Sequence, residues 1–312
     1  MSIRIGTASW AAQSLVRSGQ FYPPEVRTAE ARLAYYAAQY PLVEVDASYY
    51  ALPAPQMAQA WVERTPRDFV FNVKAFGLFT GHAAAVQALP ADVRAALTPE
   101  LRETGSVYER DLPAELVDVL WARFLQGIAP LEAAGKLGAV HCQFAPWVVN
   151  DQAGRARVAR CAARLRGRAM AAEFRHASWF DGDATTRDTL AFEEDLGVSH
   201  VVVDGAQGLP NTVPPVWAVT RAPLAVLRLH GRNPAGWLPR GQGGARASGA
   251  RFNHEYSHAE LQAIAPAIRW LDAQAAQVHV VFNNNHQSQG QRNARTLAQV
   301  MGLASGDAAR AL

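Results

Sequence analysis

Eight short runs of β-forming residues, spaced through 312 residues by Ala- and Arg-rich segments of helical periodicity, predict a closed (β/α)8 barrel, the TIM-barrel fold. Three observations carry this expectation. The runs alternate with segments long enough for a crossover helix, as parallel strands require. Eight of them suffice to close a barrel. The first enters Gly6-Thr7-Ala8-Ser9-Trp10 and no glycine-rich phosphate loop, which weakens an open dinucleotide-binding sheet.

In order, the expected strands are Ile3 to Ala8, Leu42 to Ser48, Phe69 to Ala75, Ala139 to Phe144, Met170 to Arg175, Ser199 to Asp204, Leu224 to His230 and Val278 to Asn284. Each leaves room for a helix before the next. Between the third and fourth, Gly77 to Gly138 is about twice what one crossover needs, and it holds Pro90, Pro99, Pro113 and Pro130. An insertion of extra helices and a loop over one barrel end is expected there. After the seventh strand, Gly231 to Gly249 is rich in Gly and carries Arg232, Arg240 and Arg246, the composition of a mobile loop. Ser257 followed by Glu260 forms a capping box, so a helix should start near His258. The whole chain, 1–312, reads as one barrel domain.

Composition bounds the function. With 49% hydrophobic and 18% charged residues, the chain has enough apolar material for a large core and too little charge for disorder. Thirty basic against 27 acidic residues give a formal +3, which argues against strong electrostatic targeting. No apolar run is long enough to span a membrane and no signal peptide is visible, so a cytoplasmic protein without membrane partners is expected. Two cysteines, Cys142 and Cys161, make neither a disulfide framework nor a four-cysteine zinc site. Lys74 and Lys136 are the only lysines among the basic residues. A lysine kept at a strand end offers what arginine does not, a proton that burial can release.

Residues two apart share one face of a strand, so polar residues of like parity near strand ends aim at one place. Glu44 and Asp46 do so on the second strand, Asn72 and Lys74 on the third, Glu173 and Arg175 on the fifth, Arg228 and His230 on the seventh, and Asn283 and Asn285 on the eighth. Gln143 joins from the fourth and Asp204 from the sixth. The residues between them, such as Val43, Val45, Val73, Phe174, Leu227, Leu229 and Phe282, are apolar and suit packing against helices. Inward polar groups without partners each cost about 1 to 3 kcal/mol, so these must pair with one another or face a ligand. A structural ion-pair network is one reading. A ligand site at the C-terminal mouth, where barrel enzymes keep their chemistry, is the other.

The residues also resemble a known family. Ile5-Gly6-Thr7-Ala8-Ser9-Trp10, Phe21-Tyr22-Pro23, Val43-Glu44-Val45-Asp46 with Tyr49-Tyr50, Val73-Lys74-Ala75, Gln143-Phe144, Glu173-Phe174-Arg175-His176-Ala177-Ser178-Trp179-Phe180, Arg228-Leu229-His230-Gly231 and Phe282-Asn283-Asn284 follow one another as in the YecE-like proteins, domain-of-unknown-function 72. The Glu-Phe-Arg-His-x-Ser-Trp-Phe string is the most specific. The resemblance runs from about residue 3 to 300. It implies a TIM barrel with a polar cleft at the strand ends and names no reaction. Asp46, where Asn is common in the family, and Phe76-Gly77-Leu78-Phe79 depart from its pattern.

The leading functional expectation is an enzyme acting on a small polar anion, phosphorylated or sugar-like. Glu173 is the general acid or base, tuned by Arg175 and Lys74. Arg228 and His230 hold the anion, and Gln143, Asn283 and Asp204 orient hydroxyls. Glu44, Asp46, Tyr50 and Asn285 complete the binding set, and Lys74 is alternatively an electrophile or Schiff-base amine. Hydrolysis and isomerisation both fit. No cofactor is specified; a hard divalent ion on Glu173, Asp204, His230 and His286 is one alternative. The string His254-Glu255-Tyr256-Ser257-His258 matches a zinc-protease pattern, but the helix start at His258 places His254 in a loop. The other function classes are a nucleic-acid-binding or repair-nuclease-like barrel, using the Arg-rich loop and the aromatics Trp10, Tyr49, Tyr50, Trp147, Trp179 and Phe180, and a non-catalytic metabolite-binding protein.

Overall fold

The computed structural model describes residues 2–209, 212–234 and 252–303. Among these residues ten strands run in chain order: β1 (Ile3–Ala8), β2 (Leu42–Val45), β3 (Val70–Lys74), β4 (Ala84–Ala85), β5 (Ser106–Val107), β6 (Leu137–Gln143), β7 (Met170–Glu173), β8 (Ser199–Asp204), β9 (Ala225–Leu229) and β10 (Val278–Phe282). Eight of them close a parallel barrel in the order β1-β10-β9-β8-β7-β6-β3-β2. The TIM barrel expected from the spacing is therefore present, with each expected strand on its own segment.

Helices follow most strands and pack outside. Ala29–Gln39 starts at Thr28, whose hydroxyl accepts from the Ala31 amide, and Gln152–Arg164 starts at Asp151, which accepts from Gly154. Ser257 and Glu260 form the reciprocal capping box, and the helix His258–Gln274 begins where that signal places it. The β8–β9 connection is an exception to the regular alternation: it carries no helix among its described residues. The long segment after β3 holds a 3-10 turn at Gly77–Thr80, a two-stranded antiparallel ribbon of β4 and β5, short helices at Ala91–Ala95 and Pro99–Glu103, and then the 20-residue crossover helix Ala114–Ala133. Phe79 of this insertion stacks on Trp121 of the crossover helix at 3.8 Å between centroids, which fastens the extra elements to the barrel wall. The expected loop after β9 falls largely on 235–251, with Arg240 and Arg246, and lies outside the described residues.

Strand register sorts side chains between two cores. Leu42 of β2 pairs with Val70 of β3 and Gly6 of β1, and Gly6 pairs with Val281 of β10. With Ala8, the apolar members of this set form a small buried cluster separate from the large outer core. Gly6 is required by close approach: a Cβ there would lie 1.9 Å from the Leu42 carbonyl oxygen. The same inward parity carries Glu44, Asn72, His141, Glu173, Arg228 and His279, all buried. The barrel interior is thus polar over much of its height.

Candidate functional site

The site is built in two tiers at the C-terminal end of the strands. In the lower tier the Arg228 guanidinium, wholly buried, forks between two carboxylates. Nη1 donates to Glu173 Oε2 and Nη2 to Glu44 Oε1, each at 2.5 Å. His141 sits between the same carboxylates, with Nδ1 3.0 Å from Glu44 and Nε2 3.2 Å from Glu173. Burial, the largest single influence, would raise both carboxyl pKa values, but Arg228 together with the neighbouring His141 and His230 outweighs it and holds both below the usual carboxylate range. Both are therefore ionised at neutral pH. The His230 imidazole is pushed down to about 3 by burial. In the neutral ring Nδ1 lies 2.9 Å from the Asn283 amide, and Nε2 lies 3.2 Å from both Arg228 Nη1 and Glu173 Oε1.

Glu173 Oε1 also accepts from Gln143 at 2.6 Å and from Arg175 Nη1 at 2.9 Å. These two side chains rise from the lower tier into the upper one, a cleft of roughly 170 Å³ lined by Asp46, Tyr50, Lys74, His82, Gln143 and Arg175, with Pro146, Phe252, Asn283 and Asn285 closing its sides. Lys74 Nζ lies 3.5 Å from Asp46 Oδ1 and 4.8 Å from the Tyr49 ring centroid. Burial raises the Asp46 carboxyl even against the neighbouring ammonium. The other lysine differs: Lys136 donates to the Val62 carbonyl and to both oxygens of Thr65 within 2.9 Å, tying down the end of the helix Pro55–Glu63. His82, from the insertion, is pushed down to about 4 by burial and then by Lys74 and Arg175, so it is neutral at physiological pH. Among the described lining residues, Lys74 and Arg175 against Asp46 leave the cleft one positive charge in excess.

Residues 4–311 match the family described as "Protein of unknown function DUF72". The chain belongs to the DUF72 family. It is 28% identical over 301 residues to the UPF0759 protein YunF of Bacillus subtilis, covering 96% of this chain and 95% of that one. A crystal structure of a DUF72 family protein from Enterococcus faecalis superimposes with a TM-score of 0.77 at 26% identity, over 97% of this chain and 96% of its own. One from Thermotoga maritima does so at 0.72 and 23%, over 97% and 100%, and shows the same fold.

In this DUF72 chain the residues expected at the mouth divide into three groups. Asp46, Tyr50, Lys74, Gln143, Arg175, Asn283 and Asn285 come together around the cleft. Glu44, Glu173, Arg228 and His230 lie sealed beneath it, none more than 1% exposed. Asp204 belongs to neither tier, and here the parity argument misread β8. Register pairs Val203 with the inward Arg228 and Asp204 with the outward Leu229, so Asp204 points away from the mouth. Its carboxylate accepts from Tyr256 Oη (2.7 Å) and from Arg232 Nε and Nη2 (3.0 and 2.6 Å). Glu173, Asp204, His230 and His286 accordingly do not converge, and among the described residues no group of three or more His, Cys, Asp or Glu is arranged to hold a metal ion. His254 precedes the helix, and its Nε2 lies 3.3 Å from Glu260. Sequence reasoning missed His141, which shares the parity of Gln143 on β6 and was legible by the same rule. It also missed His82 and Phe252, which reach the cleft from long connections where no periodicity points. No helix among the described residues is long and apolar enough to cross a membrane.

Proposed function

We propose that the protein is an enzyme that binds a small hydroxylated anion, a phosphate or carboxylate on a sugar-like molecule, in the upper cleft and transfers a proton on it. One observation carries the reading. Among the described residues, two cations, Lys74 and Arg175, line a cleft whose one lining carboxylate is Asp46, while the carboxylates beneath are engaged by Arg228. Arg175 is braced from below by Glu173, which fixes the orientation of its guanidinium at the cleft. Gln143, Asn283 and Asn285 supply amide groups for hydroxyls.

In this reading the proton passes through Asp46 and not through Glu173. Glu173 is out of reach of any ligand in the cleft and is held ionised by Arg228, whereas Asp46 lines the cleft and has its proton affinity raised by burial. Lys74, beside it, orients the anion and stabilises developing negative charge. Hydrolysis and isomerisation both begin with such a transfer.

The test is calorimetric titration and turnover assay with a panel of sugar phosphates and hydroxy acids. Lys74→Met and Arg175→Gln should each weaken binding by about tenfold or more, while Asp46→Asn should bind the same compound and lose turnover. Wild-type affinity in both charge variants would end the anion reading. Unchanged turnover in Asp46→Asn would end the catalytic one.

A further inference from the structure

Beyond the cleft lies a second and larger cavity, of roughly 310 Å³, bounded by Tyr108, Glu109 and Arg110 of the insertion and by Asp151, Arg157 and Arg160 around the start of the helix Gln152–Arg164. The two cavities are back to back. Gly81 lines one and His82 the other; Trp147 lines one and Pro146 the other. The partition is the thickness of these neighbouring residues. Its rim is Trp147, 55% exposed, whose indole Nε1 donates to the Gly81 carbonyl at 2.9 Å and whose ring meets His82 edge-on at 5.6 Å. A large indole so fixed, with more than half its surface in water, suits a platform for a ring.

The far cavity is cationic as well. Arg157 is held in place by Glu109 and by the Phe79 carbonyl at 3.3 Å. Arg160 reaches the same carboxylate only at 3.8 Å, and Arg110 lies over the Tyr108 ring at 4.5 Å and 3.8 Å from Asp111. Asp151 is engaged as a helix cap, accepting from Gly154 at 2.7 Å. Three guanidiniums thus face the cavity against Glu109 and Asp151, with Asp111 beside Arg110 outside the lining.

We infer that one ligand spans both cavities: a molecule with two anionic groups separated by a sugar or planar ring, one anion on Lys74 and Arg175, the ring against Trp147, and the second anion on Arg110, Arg157 and Arg160. This rests on the cleft reading above and narrows its substrate class. Joining the two anions in one molecule makes the second contact intramolecular, so the doubly charged ligand binds more tightly than either half.

The experiment compares a nucleoside 3′,5′-bisphosphate with ribose 5-phosphate by calorimetry on the full chain. The wild type should bind the bisphosphate about tenfold more tightly or better. The double variant Arg110→Ala/Arg160→Ala, at two exposed positions, should erase that advantage and leave ribose 5-phosphate binding as it was. Trp147→Ala should weaken the bisphosphate more than the monophosphate, and Lys74→Met should weaken both. Equal wild-type affinity for the two probes, or a double variant that behaves as wild type, overturns the spanning ligand while leaving the cleft reading intact. Bisphosphate binding that survives Lys74→Met but not the arginine variant also overturns it, since the far cavity would then act alone. Binding of neither probe at millimolar concentration removes both proposals together.

Discussion

Replacing Arg228 by Met tests whether the lower tier is the rigid floor of the site. Met keeps much of the apolar stem and removes the charge, leaving Glu44 and Glu173 without the group that bridges them at 2.5 Å on either side. The loss is unequal. Glu173 retains Arg175 and Gln143 at 2.9 and 2.6 Å, whereas Glu44 retains only the nearby His141 ring at 3.0 Å. Removing one partner of a buried ion pair costs about 3 to 5 kcal/mol, and Glu44 bears most of it here. In the wild type both carboxyls have depressed pKa values, so their ionised forms contribute stability that is complete above the ordinary carboxylate value of about 4.3 and fades as pH falls below it. In the variant the Glu44 carboxyl rises and the penalty for ionising it is present at neutral pH and relieved by acid. The difference in unfolding free energy between wild type and Arg228→Met should therefore be about 3 to 5 kcal/mol at pH 7 and shrink steadily toward pH 4.5. Guanidinium denaturation followed by tryptophan fluorescence at several pH values measures it. Adding Glu44→Gln to Arg228→Met should recover about 1 to 2 kcal/mol at pH 7, because a neutral amide replaces an orphaned charge. A cost below about 1 kcal/mol at pH 7, or one that does not change with pH, would refute the ionised bridge.

Two further outcomes follow from the packing. Gly6→Ala should cost about 3 kcal/mol or more, because its Cβ would meet the Leu42 backbone at 1.9 Å and β1 and β2 cannot part without opening the barrel; a melting temperature within a degree or two of wild type would show that the junction yields. Tyr256→Phe removes a hydroxyl that donates to Asp204 at 2.7 Å and accepts from the Gly231 amide at 3.0 Å, so stability should fall by about 2 kcal/mol while ligand affinity in the cleft stays as it was. An affinity loss without a stability loss would bring Asp204 back into the site.

The barrel was readable because eight apolar, β-branched runs at regular spacing leave few alternatives, and the strand ends drew the cleft because inward polar residues betray themselves against apolar neighbours. Parity worked for β2, β3, β6, β7 and β9, where polar and apolar residues alternate up to the strand end. It failed on β8 because Ser199-His200-Val201-Val202-Val203-Asp204 has a run of valines that suits either face, so only register against Arg228 decides which way Asp204 points. Depth along the strand was not legible either. Glu173 and Arg175 share a face, yet two residues of rise separate a carboxylate with no exposure from a guanidinium that lines the cleft. His82 and Phe252 come from connections whose path depends on tertiary packing, and the sequence carries no periodic signal for them.

The lower tier needs a reason beyond stability, since hydrophobic residues of the same volume would hold the barrel together as well as two carboxylates and a guanidinium do. Leu42, Val70, Val281 and Ala8 already fill the neighbouring interior that way. What an apolar plug lacks is directionality. Glu173 Oε1 fixes the Arg175 guanidinium and the Gln143 amide, and Arg228 fixes Glu173 through Oε2, so these two cleft-facing groups are positioned by a chain of charge-assisted bonds that begins below the reach of water. A fork held this way loses little freedom on meeting an anion, whereas an arginine resting on valines would have to be ordered by the ligand itself. The buried network thus fits a support of the mouth, with the acids the sequence marks most strongly buried beneath the cleft.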